Sequence, residues 1–313
     1  MHPPVPDTFV ATMRNVHGQR GVDWCAQLPM HLHTLAAQWD LALGPAYPLS
    51  YNYVCSATIR HSGTAVVLKT APHNPEFATE VAMLQHYNGR AAVDIRAVDH
   101  AYSAFLMSAA DPGTRLVDGH LSDEAQTHAA ALLMQSSWSA YRGDVPLPSI
   151  LGQAAVLTTL ARTHPAAVER IGLTHVEAAI ARCQLLHRPA DDVALHGDLH
   201  HENILRHGAG WVIIDPKGVI GNPAAECAAF LRNPARLLDS GVDIVALTIR
   251  RIDLLSSVLA IPAATIAGWN YALMVLSAWW CYEEVQTVPA RVLSSVNAFA
   301  HVATHYESHH QKN

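Results

Sequence analysis

Lysine is nearly missing from this 313-residue chain: Lys69, Lys217 and Lys312 are the whole set, and arginine carries the rest of the positive charge. The formal net charge is −6 and no long run of like charges occurs. A nucleic-acid binder living on phosphate contacts would show a basic patch, so that class is excluded. The five cysteines, Cys25, Cys55, Cys183, Cys227 and Cys281, are odd in number and form no CxxC pair. A disulfide framework and a cysteine-based zinc site are excluded with them, and reduced thiols in the cytoplasm are expected. The opening residues MHPPVPDTF show no charged start before an apolar stretch, so no secretory leader is expected. The most apolar stretch, Tyr271–Trp280, is followed by Glu283 and Glu284. It falls short of the ~20 residues a membrane span needs, and no membrane partner is expected. The motifs GxxxxGK[ST], GxSxG, HExxH and GxGxxG are all absent. P-loop ATPase, α/β-hydrolase and zinc-protease readings lose their warrant.

What the chain does have is apolar material: half of its residues are hydrophobic. Its length suits two lobes, at a prior of about 150 residues each. Val5–Leu43 reads as helical, with Trp24, Leu28, Leu32, Leu35, Ala36 and Trp39 at three- and four-residue steps, and Gly44-Pro45 as the stop. Tyr51–Ile59 and Ala65–Lys69 read as strands joined by a turn at His61-Ser62-Gly63. A helix over Glu76–Tyr87 and strands over Ala92–Val98 and Ser103–Ser108 complete a small sheet lobe. Ala109–Gly113 (AADPG) is the expected boundary, giving lobes of 1–110 and 111–313. Beyond it the chain turns helical: Asp123–Tyr141 opened by Ser122, Thr174–Leu186, and most of Pro223–His309. One β-like interlude intervenes, with Val193–Leu195, Ile204–Arg206 and Trp211–Ile214.

That interlude carries the chemistry. Asp198 and Asn203 stand in HGDLHHENIL with D-x-x-x-x-N spacing, and Asp215 ends the strand WVII. A hairpin between them brings Asn203 and Asp215 together. Hard oxygen donors of this kind suit Mg²⁺, with substrate phosphates completing its shell. The remaining carboxylate, Asp198, is free to orient a hydroxyl and accept its proton. Lys69 at the end of AVVLK and Glu80 in the following helix supply a phosphate-gripping cation and its partner. The set has the order and parts of a phosphoryl-transfer site.

These motifs resemble those of known kinases. HGDLHHENIL and IIDPKG look like the catalytic and metal loops of the aminoglycoside phosphotransferase branch of the protein-kinase-like fold. The continuation IIDPKGVIGNPAAECAAFLRNP, the strand pair SYNYVCSATI and AVVLKT, and SAWWCYEE resemble the streptomycin 6-phosphotransferase and hydroxyurea-resistance kinase family. The resemblance runs from about Val5 to about Glu284. It implies an α+β, bilobal protein-kinase-like fold, with a small antiparallel-sheet N-lobe, a mainly helical C-lobe, and ATP with Mg²⁺ in the cleft between them. By position, Asp198 is implied as the catalytic base, Asn203 and Asp215 as Mg²⁺ ligands, and Lys69 as the ATP-phosphate contact paired with Glu80. Phe105, Met107 and Ala109, within Phe105–Ala109, are implied around adenine. The implied partner is a small-molecule acceptor, an aminoglycoside such as streptomycin.

Several readings stay open beside it. Ser50 and Ser56 are candidates to replace a glycine-rich loop, and Glu202 sets an unusual charge beside Asp198. Lys217 stands either near the transferred phosphate or as a loop support. Glu283 and Glu284, with Trp279 and Trp280, and Asp239, Asp243 and Asp253 are candidates for receiving a polycationic sugar. His196 is expected to hold the loop by hydrogen bonds, whereas His200 and His201 face solvent or substrate. Hydroxyurea or a sugar-like metabolite is the alternative acceptor. A catalytically inactive nucleotide-binding protein is the alternative of another class.

Overall fold

The computed structural model describes residues 5–234, 236–237 and 241–310. The N-terminal helical pattern resolves into α1 (Asp7–His17) and α2 (Gln19–Gln38), broken at Gly18, whose φ of 61° suits a residue without Cβ. The two helices pack closely. A Cβ on Gly21 would lie 2.2 Å from the Met13 carbonyl oxygen. The chain then departs from the expected helix. Leu41–Ala46 is a strand, β1, and Gly44-Pro45 lies inside it. The reason is position: β1 is the sheet's edge, and its pairing with β2 (Tyr53–Ile59) slips between Leu43 and Ala46. An edge bulge needs no N–H from proline. The expected helix stop is therefore a strand irregularity.

The sheet continues through β3 (Ala65–Thr70), with β5 (Ala104–Ser108) and β4 (Ile95–Asp99) beyond it, in the antiparallel order β1-β2-β3-β5-β4. Helix α3 (Pro75–Tyr87) starts on Asn74, whose side chain accepts from the Phe77 N–H at 3.0 Å, and stops at Asn88 with φ 49°. The alternation of β-strands gives the sheet two different faces. One face, with Cys55, Ala57, Val66, Leu68, Ala104 and Leu106, joins Phe9, Met13, Leu28, Leu32 and Leu35 of α1 and α2 in one apolar core. The other carries Val67, Lys69, Phe105 and Met107, which the register puts side by side.

This first compact unit ends at Gly113, and a second begins at Thr114. A short strand, β6 (Pro112–Arg115), crosses the join. In the second unit α4 (Asp123–Ser137) opens on the Ser122 hydroxyl as expected, but ends four residues before Tyr141. Ser136 and Ser137 bond back to the Leu133 and Met134 carbonyls, and Trp138 turns extended. Short helices α5 (Ile150–Ala154), α6 (Leu157–Thr163) and α7 (Pro165–Ile171) lead to α8 (Leu173–Leu186). Then come β7 (Val193–Leu195), the hairpin β8 (Ile204–His207) and β9 (Gly210–Ile213), and β10 (Val219–Gly221), which pairs with β7. Helices α9 (Pro223–Leu231), α10 (Ile244–Leu259), α11 (Ala263–Val285) and α12 (Ala290–His310) complete it. The apolar stretch of the sequence is the middle of α11, buried all round from Ile266 to Leu276. No helix among the described residues is long and apolar enough to cross a membrane.

The tightest contact in the first core gives a direct test. Gly21→Ala forces the Met13 main chain to move, and is expected to destabilise the protein by about 1–3 kcal/mol, the usual cost of overpacking. Urea unfolding of the purified chain measures it.

Candidate active site

In the first unit the structure brings Lys69 and Glu80 together. Lys69 Nζ donates to Glu80 Oε1 at 2.6 Å, and both side chains are largely buried. The lysine lies 5.9 Å from the Phe105 ring centroid, its cross-strand neighbour. Phe77 of α3 packs on the same ring. Phe105 and Met107 are both buried, and Ala109 just after β5 is half-buried. Ser56 is otherwise engaged, since its hydroxyl donates to the Pro45 carbonyl at 3.2 Å and so braces the β1 bulge.

The second unit holds the other group. Between β7 and β8 the chain folds over its own side chains. His196 is fully buried, and its Nε2 donates to the Ile214 carbonyl at 2.7 Å while its Nδ1 accepts from the Asp198 N–H at 3.2 Å. Those two bonds require the neutral ring with its proton on Nε2. Burial pushes the His196 pKa down to about 4, in agreement. The His196 carbonyl in turn accepts from the Lys217 and Gly218 N–H groups. One histidine thereby joins the loop to the end of the β8–β9 hairpin and to the DPKG turn.

The hairpin sets the oxygen donors. Ile204 faces Ile213, and the Ile214 N–H donates to the Asn203 carbonyl at 3.0 Å. Asn203 and Asp215 therefore stand beside each other at the hairpin's open end. Asp215 adopts φ 58°, a left-handed conformation that acidic and amide side chains tolerate best. Asn203 Nδ2 donates to the Asp198 carbonyl at 3.0 Å, which leaves Oδ1 as the amide atom for a hard cation. A carboxylate and an amide oxygen are the donor chemistry that Mg²⁺ takes. Asp198 is bracketed by Arg232 Nη2, 3.6 Å from Oδ1, and His200 Nε2, 3.8 Å from Oδ2. Lys217 is exposed, and its backbone is what engages the loop.

One residue escaped sequence reasoning. Glu226, on α9, accepts from the His196 N–H at 2.6 Å and the Gly197 N–H at 3.0 Å. It is 2% exposed, and burial pushes its pKa up to about 7 against the pull of those two donors. The signal was present as the final glutamate of DPKGxxGxPxxE, read as a pattern with no role for its acid. Gly197 itself has φ 81°, and a Cβ there would meet Val219 at 3.0 Å. His201 also departs from expectation. It is buried away from solvent and stacks on Phe230 at 4.0 Å, with Arg251 Nη2 3.5 Å from its Nε2. Arg251 is buried and forked onto Asp123. Burial, then the Arg251 charge, pushes the His201 pKa down to about 2.

The acidic candidates separate. Glu283 and Glu284 are exposed at the end of α11. Asp243 caps α10 by accepting from Ala246, and Asp253 accepts the Tyr306 hydroxyl at 2.6 Å. Asp239 lies outside the described residues. Glu202 is exposed, and Arg115 Nη1 lies 3.5 Å from its Oε1. A small cleft beside the loop is lined by Gly197, Glu226, Arg232, Leu273 and Trp280, among others. Trp279 is buried, whereas Trp280 is 40% exposed.

Two outcomes are expected. Glu226→Ala leaves two buried N–H groups unpaired, at about 1–3 kcal/mol each, and should lower both stability and turnover. His196 and His201 have folded pKa values below the unfolded 6.5, so the unfolded chain binds more protons once pH drops below 6.5. Each histidine therefore costs about 2 kcal/mol of stability at pH 5, and the raised Glu226 pKa, which lets the folded chain hold a proton between about pH 7 and 4.5, offsets part of that loss. Denaturant unfolding across that range checks it, with His201→Gln expected to be less acid-sensitive than the parent.

Comparison with known proteins agrees with this geometry. The chain is 29% identical over 285 residues to streptomycin 6-kinase of Streptomyces glaucescens, covering 90% of this chain and 91% of the relative. It is 26% identical to hydroxyurea phosphotransferase of Kitasatospora aureofaciens, covering 90% and 81%. The fold is similar to that of amicoumacin kinase hAmiN, solved with AMP-PNP, Ca²⁺ and Ami. There the TM-score is 0.61 at 15% identity, over 87% of this chain and 91% of that one. This is the protein-kinase-like α+β fold. Residues 52–285 match the model of the aminoglycoside/hydroxyurea antibiotic resistance kinases. The chain belongs to that family and is a small-molecule phosphotransferase acting on hydroxyl groups.

Proposed function

We propose that the chain transfers the γ-phosphoryl group of ATP to a hydroxyl of an aminoglycoside, with streptomycin as the first acceptor to test. The observation that carries the reading is the Asp198 loop, whose carboxylate is bracketed but not consumed and stands five residues before Asn203. The Lys69–Glu80 pair, at 2.6 Å, supports nucleotide binding in the first unit, with Phe105, Met107 and Ala109 on or next to the neighbouring strand β5. Asn203 and Asp215 would hold Mg²⁺, which when bound neutralises charge on the nucleotide phosphates.

In this reading Lys69 binds the phosphates, and Glu80 keeps its ammonium in place. Asp198 orients the acceptor hydroxyl and accepts its proton. The hydroxyl oxygen forms its bond to phosphorus as the bond to the departing ADP oxygen breaks. Positioning and charge stabilisation supply the rate, since this chemistry asks little covalent work of the protein. Lys217 and the Glu283–Glu284 pair are the remaining acceptor-side candidates, the carboxylates as an attraction for a cationic sugar. Hydroxyurea is the second reading, favoured by the similarity to a hydroxyurea phosphotransferase.

A coupled ADP-release screen over aminoglycosides, hydroxyurea and simple sugars tests the acceptor, with the product hydroxyl located by NMR. Streptomycin-dependent ADP release is expected; release only with another compound overturns the streptomycin assignment. Asp198→Ala should lower kcat by several orders of magnitude with ATP binding kept, and near-parental turnover would sink its role as base.

A further inference from the structure

Arg232 has no part in the reaction as described so far, yet it stands at the reacting carboxylate. It directly follows α9, six positions after Glu226, so the helix that grips the loop backbone also ends on this side chain. Its Nη2 lies 3.6 Å from Asp198 Oδ1, and its side chain is 19% exposed. Among the described residues no side-chain hydrogen bond commits the guanidinium elsewhere. Burial disfavours its charge, and Asp198 is the foremost group pulling the other way. An arginine stays protonated under such conditions, so the result is a fixed cation whose foremost charged neighbour is the Asp198 carboxylate, with Glu226 a lesser one.

The torsion that turns an aspartate carboxylate is soft and roughly two-fold. Left alone, Asp198 would present either oxygen over a wide arc. Here Arg232 stands at Oδ1, while Oδ2 has only the His200 ring at 3.8 Å. The guanidinium is a permanent cation and the nearer of the two groups, so the arginine is the stronger of the two brackets. The same arginine lines a small cavity with Gly197, Glu226, Leu273 and Trp280, so it is held among the residues that support the loop.

We propose that Arg232 is a positioning residue for phosphoryl transfer, acting through Asp198: it fixes the carboxylate so that one oxygen is presented to the acceptor hydroxyl. This rests on Asp198 being the base. Alignment of reacting atoms is worth large factors, and a displacement of about 1 Å costs about a hundredfold. A residue acting only in this way changes kcat and leaves ground-state binding nearly untouched.

The test is a double-mutant cycle. Arg232→Met and Arg232→Lys are made in the parent and in Asp198→Asn, and ADP release is followed with streptomycin and, separately, with water as acceptor. Arg232→Met is expected to lower kcat by about tenfold to a hundredfold, with KM for ATP and streptomycin within about threefold. Arg232→Lys should recover part of the loss, because it keeps the charge without the planar fork. In Asp198→Asn, Arg232→Met should add almost nothing. An equal loss in both backgrounds overturns the proposal, and so does a raised streptomycin KM with kcat intact. If streptomycin is not phosphorylated while ATP is still hydrolysed, the acceptor assignment fails, and the cycle on hydrolysis decides Arg232 alone. A parent protein with no ATP turnover overturns both. Should Arg232→Met not fold by circular dichroism, the Lys variant decides: its loss must vanish in Asp198→Asn.

Discussion

A buried carboxylate holding two consecutive backbone N–H groups is the contact on which the second unit's chemistry depends. Glu226 receives the His196 and Gly197 amides, the two that turn the chain from β7 into the loop. Glu226 is the partner that the described residues give both amides, and the His196 amide is buried. The carboxylate comes from α9, whose residues from Ala224 to Leu231 are all buried and which packs on α11, so its position is set by the interior of the unit. From there the constraint spreads outward. Gly197 can adopt φ 81° because nothing on its Cα meets Val219. His196 is then oriented to reach the Ile214 carbonyl, and the hairpin end bearing Asn203 and Asp215 is drawn to the same spot. The burial of an acid is costly, and the rise of its pKa to about 7 expresses that cost. The return is a loop whose backbone course is set from the interior of the unit.

The first unit reaches a comparable result by dividing a sheet. The face toward α1 and α2 carries the apolar core and anchors the strands. The face toward α3 carries Lys69, an ammonium that would be costly to bury alone. Glu80 compensates it, and Phe105 supplies an aromatic ring beside it. The scarcity of lysine in the chain makes this placement more telling. Arginine would have satisfied a surface charge, but a compact ammonium on a flexible stem is what a site for shifting phosphate oxygens uses.

Much of this was legible in the sequence because each signal was local. AVVLK followed by a helix with Glu80 sets strand, helix and ion pair within eleven residues of each other. HGDLHHENIL and IIDPKG lie on a hairpin, so their meeting needs only one turn. The illegible parts are those where distance along the chain decides. β1 looked like the end of a helix because a Gly-Pro pair stops helices and is equally at home in an edge bulge. Glu226 looked like any helix acid, since only the fold puts it beneath residues thirty positions earlier. His201 looked exposed for lack of any hint of Phe230 and Arg251, which come from two other helices. Asp243 and Asp253 looked available, but a cap and a tyrosine hydroxyl hold them.

Phosphoryl transfer and acceptor choice fall on different kinds of residue in this unit. The family includes relatives named for streptomycin and for hydroxyurea, acceptors of very different size and charge. If the loop and turn held by Glu226 and His196 carry the chemistry proposed above, acceptor preference falls to the walls around them. At the end of α11 burial gives way within a few residues, from Trp279 to the part-exposed Trp280 and the exposed Glu283 and Glu284. Exposed carboxylates attract a cation over roughly a Debye length, about 8 Å at physiological salt, but do not hold a hydroxyl at a given angle. Groups withdrawn from water, such as Arg232 with Asp198, act at short range and are little screened. In the acceptor reading proposed here, the first kind governs capture and its salt dependence, and the second governs alignment and turnover. On the same reading a change of acceptor would fall on the walls and the surface charge, and the Asp198 carboxylate with Arg232 would serve any hydroxyl brought to it.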